Sequence, residues 1–204
     1  MPAPTRMTKL EAVNECLRAV GMVPVNTIAS SQVYEVNVAL QFVDDVLRTV
    51  LEAGWWFNVE SEYEIAPDGQ NRLAIPSNAL RIDPADRHKR FVERYQDGSP
   101  YFYDLEEKSF TGFSDASYKF DVTWSYDFEE IPQAARQYVA RRAAREFAER
   151  LAGADSVKET VRTAEAEALD RLVEADSAHG DYNVFHNYAA GEILGRTMTG
   201  HEVI

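Results

Sequence analysis

Cysteine is almost absent from this chain: Cys16 stands alone among 204 residues, so no internal disulfide can staple the fold. Long apolar runs are missing too. No stretch approaches the ~20 consecutive apolar residues that a membrane-spanning helix needs, and Met1 to Arg6 lack the hydrophobic run of a signal peptide. The expectation is a protein with no membrane association, made and assembled in the cytoplasm. Positive charge is also in short supply: 21 basic residues against 34 acidic ones leave a formal net charge of -13. Such a surface repels nucleic-acid phosphates, which argues against sequence-specific DNA binding. It suits a protein that must stay soluble, or one lining a passage through which DNA slides without adhering.

Chemical signatures are sparse. The histidines His88, His179, His186 and His201 do not pair at helical ligand spacing, and Cys16 is far from all of them in sequence, so no metal site is expected. There is no glycine-rich phosphate loop followed by Lys-Ser or Lys-Thr, and Ser61, Ser77 and Ser99 lack the flanking glycines of a nucleophile elbow. Neither a cofactor nor a catalytic residue is expected. The neighbouring carboxylates Asp44 and Asp45, Glu60 and Glu62, Asp104 and Glu106, and Glu129 and Glu130 keep one alternative open. Such pairs can supply acid and base to a glycosidic bond, which would make the chain a polysaccharide hydrolase. In so acidic a sequence they are ordinarily solvated.

What the chain does have is pattern. Thr8 followed by Glu11 forms a capping box, and Leu10, Val13, Leu17 and Val20 recur on one helical face before Gly21 and Pro24 stop the helix. Cys16 falls on the buried side. Val36, Leu40, Val43, Leu47 and Val50 mark a second amphipathic helix ending at Gly54. The period then changes from helical to two. Val59, Ser61, Tyr63 and Ile65 alternate with Glu60, Glu62 and Glu64, predicting a strand wet on one face. Short strands are expected at 72–75, 80–83, 91–96 and 101–104, and the clearest one carries Tyr118, Phe120, Val122, Trp124 and Tyr126. Helix resumes at Ile131 and Pro132, with Ala135, Tyr138, Val139, Ala143, Phe147 and Leu151 on its apolar face and Gly153 at its end. Ser156 and Glu159 form a second capping box, and Val157, Val161, Ala164, Ala168, Leu172 and Val173 carry a fourth helix toward Ala178.

The predicted fold class is α+β: a four-helix bundle made by the N- and C-terminal helices, an inserted and mostly antiparallel β-sheet domain, and an irregular C-terminal tail. In residues, the bundle halves are 1–54 and 129–178, the sheet domain is 55–128 and the tail is 179–204. Two groups stand out as interaction residues. Arg136, Arg141, Arg142, Arg145 and Arg150 spread around the third helix instead of forming the single stripe that a nucleic-acid backbone would need, so they are read as a subunit interface pairing with carboxylates. Tyr182, Val184, Phe185, Tyr188 and Ile193 make the glycine-punctuated tail too apolar for a solvating linker, so it is read as a docking segment. The aromatics crowded into the sheet region are read mainly as core.

Gly54-Trp55-Trp56-Phe57-Asn58, the run from Leu73 through Pro76 to Asp83, Tyr101-Phe102-Tyr103-Asp104-Leu105, and the run from Phe128 through Ile131 and Pro132 to Ala140 resemble blocks of tail tubular protein A of T7-like, short-tailed phages. The likeness runs in the same order from about Thr8 to Ala178 and stops short of the last segment. The resemblance implies a virion structural protein that acts as the head-to-tail adaptor. It implies a ring of about twelve copies under the portal protein, opening onto the nozzle protein (tail tubular protein B) and offering its outside to tail fibres. DNA would pass through the channel without specific binding, and the tail would reach the portal.

Overall fold

The computed structural model describes residues 6–29, 33–153 and 159–179. Its first helix, α1 (Lys9–Ala19), begins at the anticipated capping box. The Glu11 amide donates to Thr8 Oγ1 at 3.3 Å and the Thr8 amide donates to Glu11 Oε2 at 2.7 Å. Its buried face carries Ala12, Val13, Cys16 and Leu17. Asn14, also buried, gives its Nδ2–H to Val25 O at 2.9 Å and accepts the Val25 amide at 2.8 Å, which folds the following loop back onto the helix. The second helix, α2 (Tyr34–Glu52), buries Val36, Ala39, Val43, Val46, Leu47 and Val50. The chain leaves it through Gly54 at φ +77, a left-handed conformation in which a side chain is strained.

α3 (Gln133–Ala152) and α4 (Glu159–His179) complete the helical unit. Pro132 is the residue just before α3, and Gly153 at φ +85 ends it. α3 is the common element: α1, α2 and α4 all pack on it, and α1 and α2 also touch. Ala135, Ala140, Ala143, Ala144 and Ala148 are buried on α3, and their small side chains let three neighbours approach one helix closely. α4 sends Ala168 and Leu172 fully inward. Two residues placed on apolar faces by periodicity are instead substantially exposed, Leu151 at 44% and Val173 at 47%. Val173 follows Leu172 by one position, about 100° around the helix, so burying Leu172 turns Val173 outward. Leu151 lies in the last turn of α3. The second capping box, Ser156 with Glu159, and Val157 fall on or beside residues outside the described ranges.

The second compact unit is Phe57–Tyr126, with the chain up to Trp56 and from Asp127 forming the first. The strands are β1 (Val59–Ile65), β2 (Ala79–Pro84), β3 (Phe91–Gln96), β4 (Ser99–Asp104) and β5 (Tyr118–Trp124). All pairings are antiparallel, in a three-stranded sheet ordered β1-β5-β2 and a separate β3-β4 hairpin. The hairpin turns through Asp97 and Gly98, both at positive φ (53° and 80°), as a two-residue primed turn requires.

The segment 72–75 is not a ladder strand. It touches β4 through the Phe102 amide to Leu73 O (2.9 Å) and the Ile75 amide to Pro100 O (3.1 Å) before Pro76 ends the pairing. The alternation in β1 is also corrected. The register slips between Glu60 and Tyr63, with Glu62 at φ +58, so an extra residue bulges out. One extra residue reverses the faces. Glu60 therefore sits opposite Val122 and accepts the Trp124 indole N–H at 3.0 Å, on the same face as Tyr63 opposite Phe120. Ile65, Leu73, Ile75, Phe102, Phe113, Phe120, Val122 and Trp124 form the core of this unit, with Phe102 stacked on Phe120 at 4.4 Å.

Candidate interaction site

The arginines of α3 are placed by a helix whose buried face is rich in alanine and whose flanks meet carboxylates from α1 and α4. Arg141 donates to Glu15 of α1 at 2.6 Å. Arg145 donates to Glu149 at 2.7 Å, lies 3.4 Å from Glu146, and bonds Glu165 of α4. Arg142 donates to Glu146 at 2.9 Å. Burial works against the charge of Arg145, but the bonds to Glu165 and Glu149 outweigh it and hold its pKa above the ordinary arginine value. Arg142 follows the same pattern, with Glu146 and Tyr138 outweighing burial.

Arg136 behaves differently. It is 5% exposed and its guanidinium is committed to backbone carbonyls of its own chain: Ile131 O and Met7 O, each at 2.8 Å, and Glu129 O. Burial, then the nearby charge of Arg6, draw its pKa downward. Arg136 thus ties the approach to α1 against the approach to α3. Arg150 is exposed and has no ion-pair partner among the described residues. The structure therefore joins Arg142 and Arg145 through Glu146 and leaves Arg136, Arg141 and Arg150 in separate surroundings. The anticipated docking residues Tyr182, Val184, Phe185, Tyr188 and Ile193 lie outside the described residues.

The carboxylate pairs are dispersed into local roles. Asp44 pairs with Lys9 at 2.5 Å and Asp45 with Arg48 at 3.2 Å. Glu62 pairs with Lys119 at 2.8 Å, and the Lys119 bond holds the Glu62 carboxyl below its usual range. Asp104 Oδ1 accepts the amides of Glu106 (2.7 Å) and Glu107 (3.2 Å). Glu129 accepts the Lys9 amide at 3.1 Å and Glu130 the Asp127 amide at 2.8 Å. Cys16 is fully buried and its thiol is pushed up to about 12, first by burial and then by the charge of Glu15, so it stays protonated and unreactive.

One contact had no counterpart in the sequence reading. His179 at the end of α4 stacks on Trp56 at 5.1 Å, while Asp176 accepts the Trp56 amide at 3.0 Å. The last turn of α4, from which the C-terminal segment departs, is thereby fixed to the residues that follow α2. Trp56 and His179 are separated by most of the chain, and no periodicity links them. Among the described residues, no cluster of His, Cys, Asp and Glu is arranged to hold a metal ion, and no helix is long and apolar enough to cross a membrane.

A family model described as tail tubular protein matches residues 10–182. The chain is also 31% identical over 134 residues to the tail tubular protein A of Klebsiella phage KP34, an alignment covering 66% of this chain and 68% of that one.

Proposed function

The chain belongs to the tail tubular protein family and is a structural protein of a phage tail; on that premise we propose that it is the head-to-tail adaptor subunit. About twelve copies form a closed ring between the portal protein and the tail nozzle protein, tail tubular protein B. The ring surrounds a channel for DNA and carries tail fibres on its outer surface. The subunit is assembled in the host cytoplasm and ends in the virion. Its four helices act as the bundle that packs side by side around the ring. Arg141 and Arg145 orient α3 against α1 and α4, Arg142 pairs with Glu146 within α3, and Arg150 is the α3 cation left for a neighbouring copy. Arg136 acts from inside the subunit, where three of its donors meet backbone carbonyls beside α1 and α3. Tyr182, Val184, Phe185, Tyr188 and Ile193 dock on the portal.

The observation that carries this reading is the extent of the family match, which runs from α1 through the inserted sheets and past the end of α4. The acidic excess supports the channel role, because like charge keeps DNA moving instead of adhering. Negative-stain imaging of the purified chain, alone and mixed with portal particles, tests it. Rings, alone or seated on portal, are expected. A monomer that ignores portal and instead cleaves a capsular polysaccharide would overturn the proposal in favour of the hydrolase reading.

A further inference from the structure

The connection between β2 and β3 gathers basic residues on one short turn, where Arg87, His88, Lys89 and Arg90 follow the single acid Asp86. Its single acid is used internally. Asp86 Oδ1 accepts the His88 amide at 2.9 Å and Asp86 O accepts the Lys89 amide at 3.0 Å, closing a tight turn. That turn presents Arg87, His88, Lys89 and Arg90 to solvent, all exposed. Arg87, Lys89 and Arg90 have no ion-pair partner among the described residues, although Lys89 and Arg90 share a hollow with Asp104, Glu106, Glu107 and Asp115.

α4 holds the complementary feature. Glu167, Asp170 and Glu174 recur at spacings of three and four and are all exposed, so they form one outward stripe roughly 10 Å long. Only Glu167 is answered, by exposed Arg171 at 3.6 Å; Asp170 and Glu174 have no ion-pair partner among the described residues. Like charges one turn apart destabilise a helix in isolation. A cation from outside the helix, seated on this stripe, relieves that repulsion and meets a complementary charge.

We propose that the Arg87–Arg90 turn of one copy seats on the Glu167–Asp170–Glu174 stripe of α4 of the next copy. The two patches are different surfaces of the same chain, so the contact is heterologous, the kind that propagates around a ring instead of stopping at a dimer. This inference rests on the ring reading above and adds which surfaces meet.

The test is a charge swap on the full chain. Reversing the turn (Arg87→Glu, Lys89→Glu, Arg90→Glu) is expected to lower the ring fraction about tenfold or more at physiological salt. Reversing the stripe (Glu167→Lys, Asp170→Lys, Glu174→Lys) should do the same. Mixing the two variants, or combining both reversals in one chain, should restore rings, a result that a folding defect cannot give. Rings unaffected by either reversal overturn the inference alone, as does a turn reversal that leaves rings intact and changes only DNA retention on a gel. A wild-type chain that never forms rings overturns the ring reading itself, and this contact with it.

Discussion

Cys16 shows how one buried residue sets a measurable property. With its thiol near pKa 12 in the fold and about 9.0 when unfolded, the unfolded chain loses this proton first as pH rises. The stabilising contribution is complete below pH 9 and declines between pH 9 and 12, at up to about 1.4 kcal/mol per pH unit. Urea midpoints measured from pH 8 to 11 should therefore fall more steeply for the native chain than for Cys16→Ala. Equal slopes would mean that the thiol is less buried than described. Arg136 teaches the complementary lesson. Its charge made it an interface candidate in the sequence, but three backbone carbonyls claim it.

At the scale of elements, α4 separates residues that sequence periodicity merged. Leu172 is fully buried against α3 and Val173 is 47% exposed. Leu172→Ala should destabilise the subunit by roughly 2–5 kcal/mol through the cavity it leaves, whereas Val173→Ala should stay within about 0.5 kcal/mol. Chemical denaturation of the two variants side by side checks the assignment, and similar losses would show that the helix is rotated. In β1 the alternating Glu and apolar residues were readable, but the bulge at Ser61–Glu62 was not. A bulge is stabilised by its partner strand, here through Asp121 Oδ1 accepting the Glu62 amide at 3.2 Å.

For the whole molecule, the inserted unit closes on itself. Its ends are stitched by the Trp124 amide to Asn58 O at 2.7 Å and Asn58 Nδ2 to Trp124 O at 2.9 Å, with Asn58 1% exposed. A fragment spanning 57–126 should then fold alone, with a cooperative thermal transition and a dispersed amide NMR spectrum. Collapsed spectra would show that it depends on the helices. Truncation after Ala178 removes the His179 stack on Trp56 but should leave a folded subunit, since Leu172 and Asp176 remain, yet abolish joining to portal particles. A truncated chain that still binds portal would remove docking from the C-terminal segment.

The sequence alone determined the element types and most of their ends, because these rest on local physics. Thr8 and Glu11 cap one turn, Gly54 and Gly153 accept positive φ, and apolar spacing sets the helical and strand periods. It also determined the family, through ordered blocks from the Gly54–Asn58 junction to the run around Ile131. Only the tertiary structure decided which helix is central, which arginines are already satisfied, which face Glu60 occupies, and that Trp56 meets His179. Each of these depends on groups far apart in the chain meeting in space, and local spacing carries no record of such meetings.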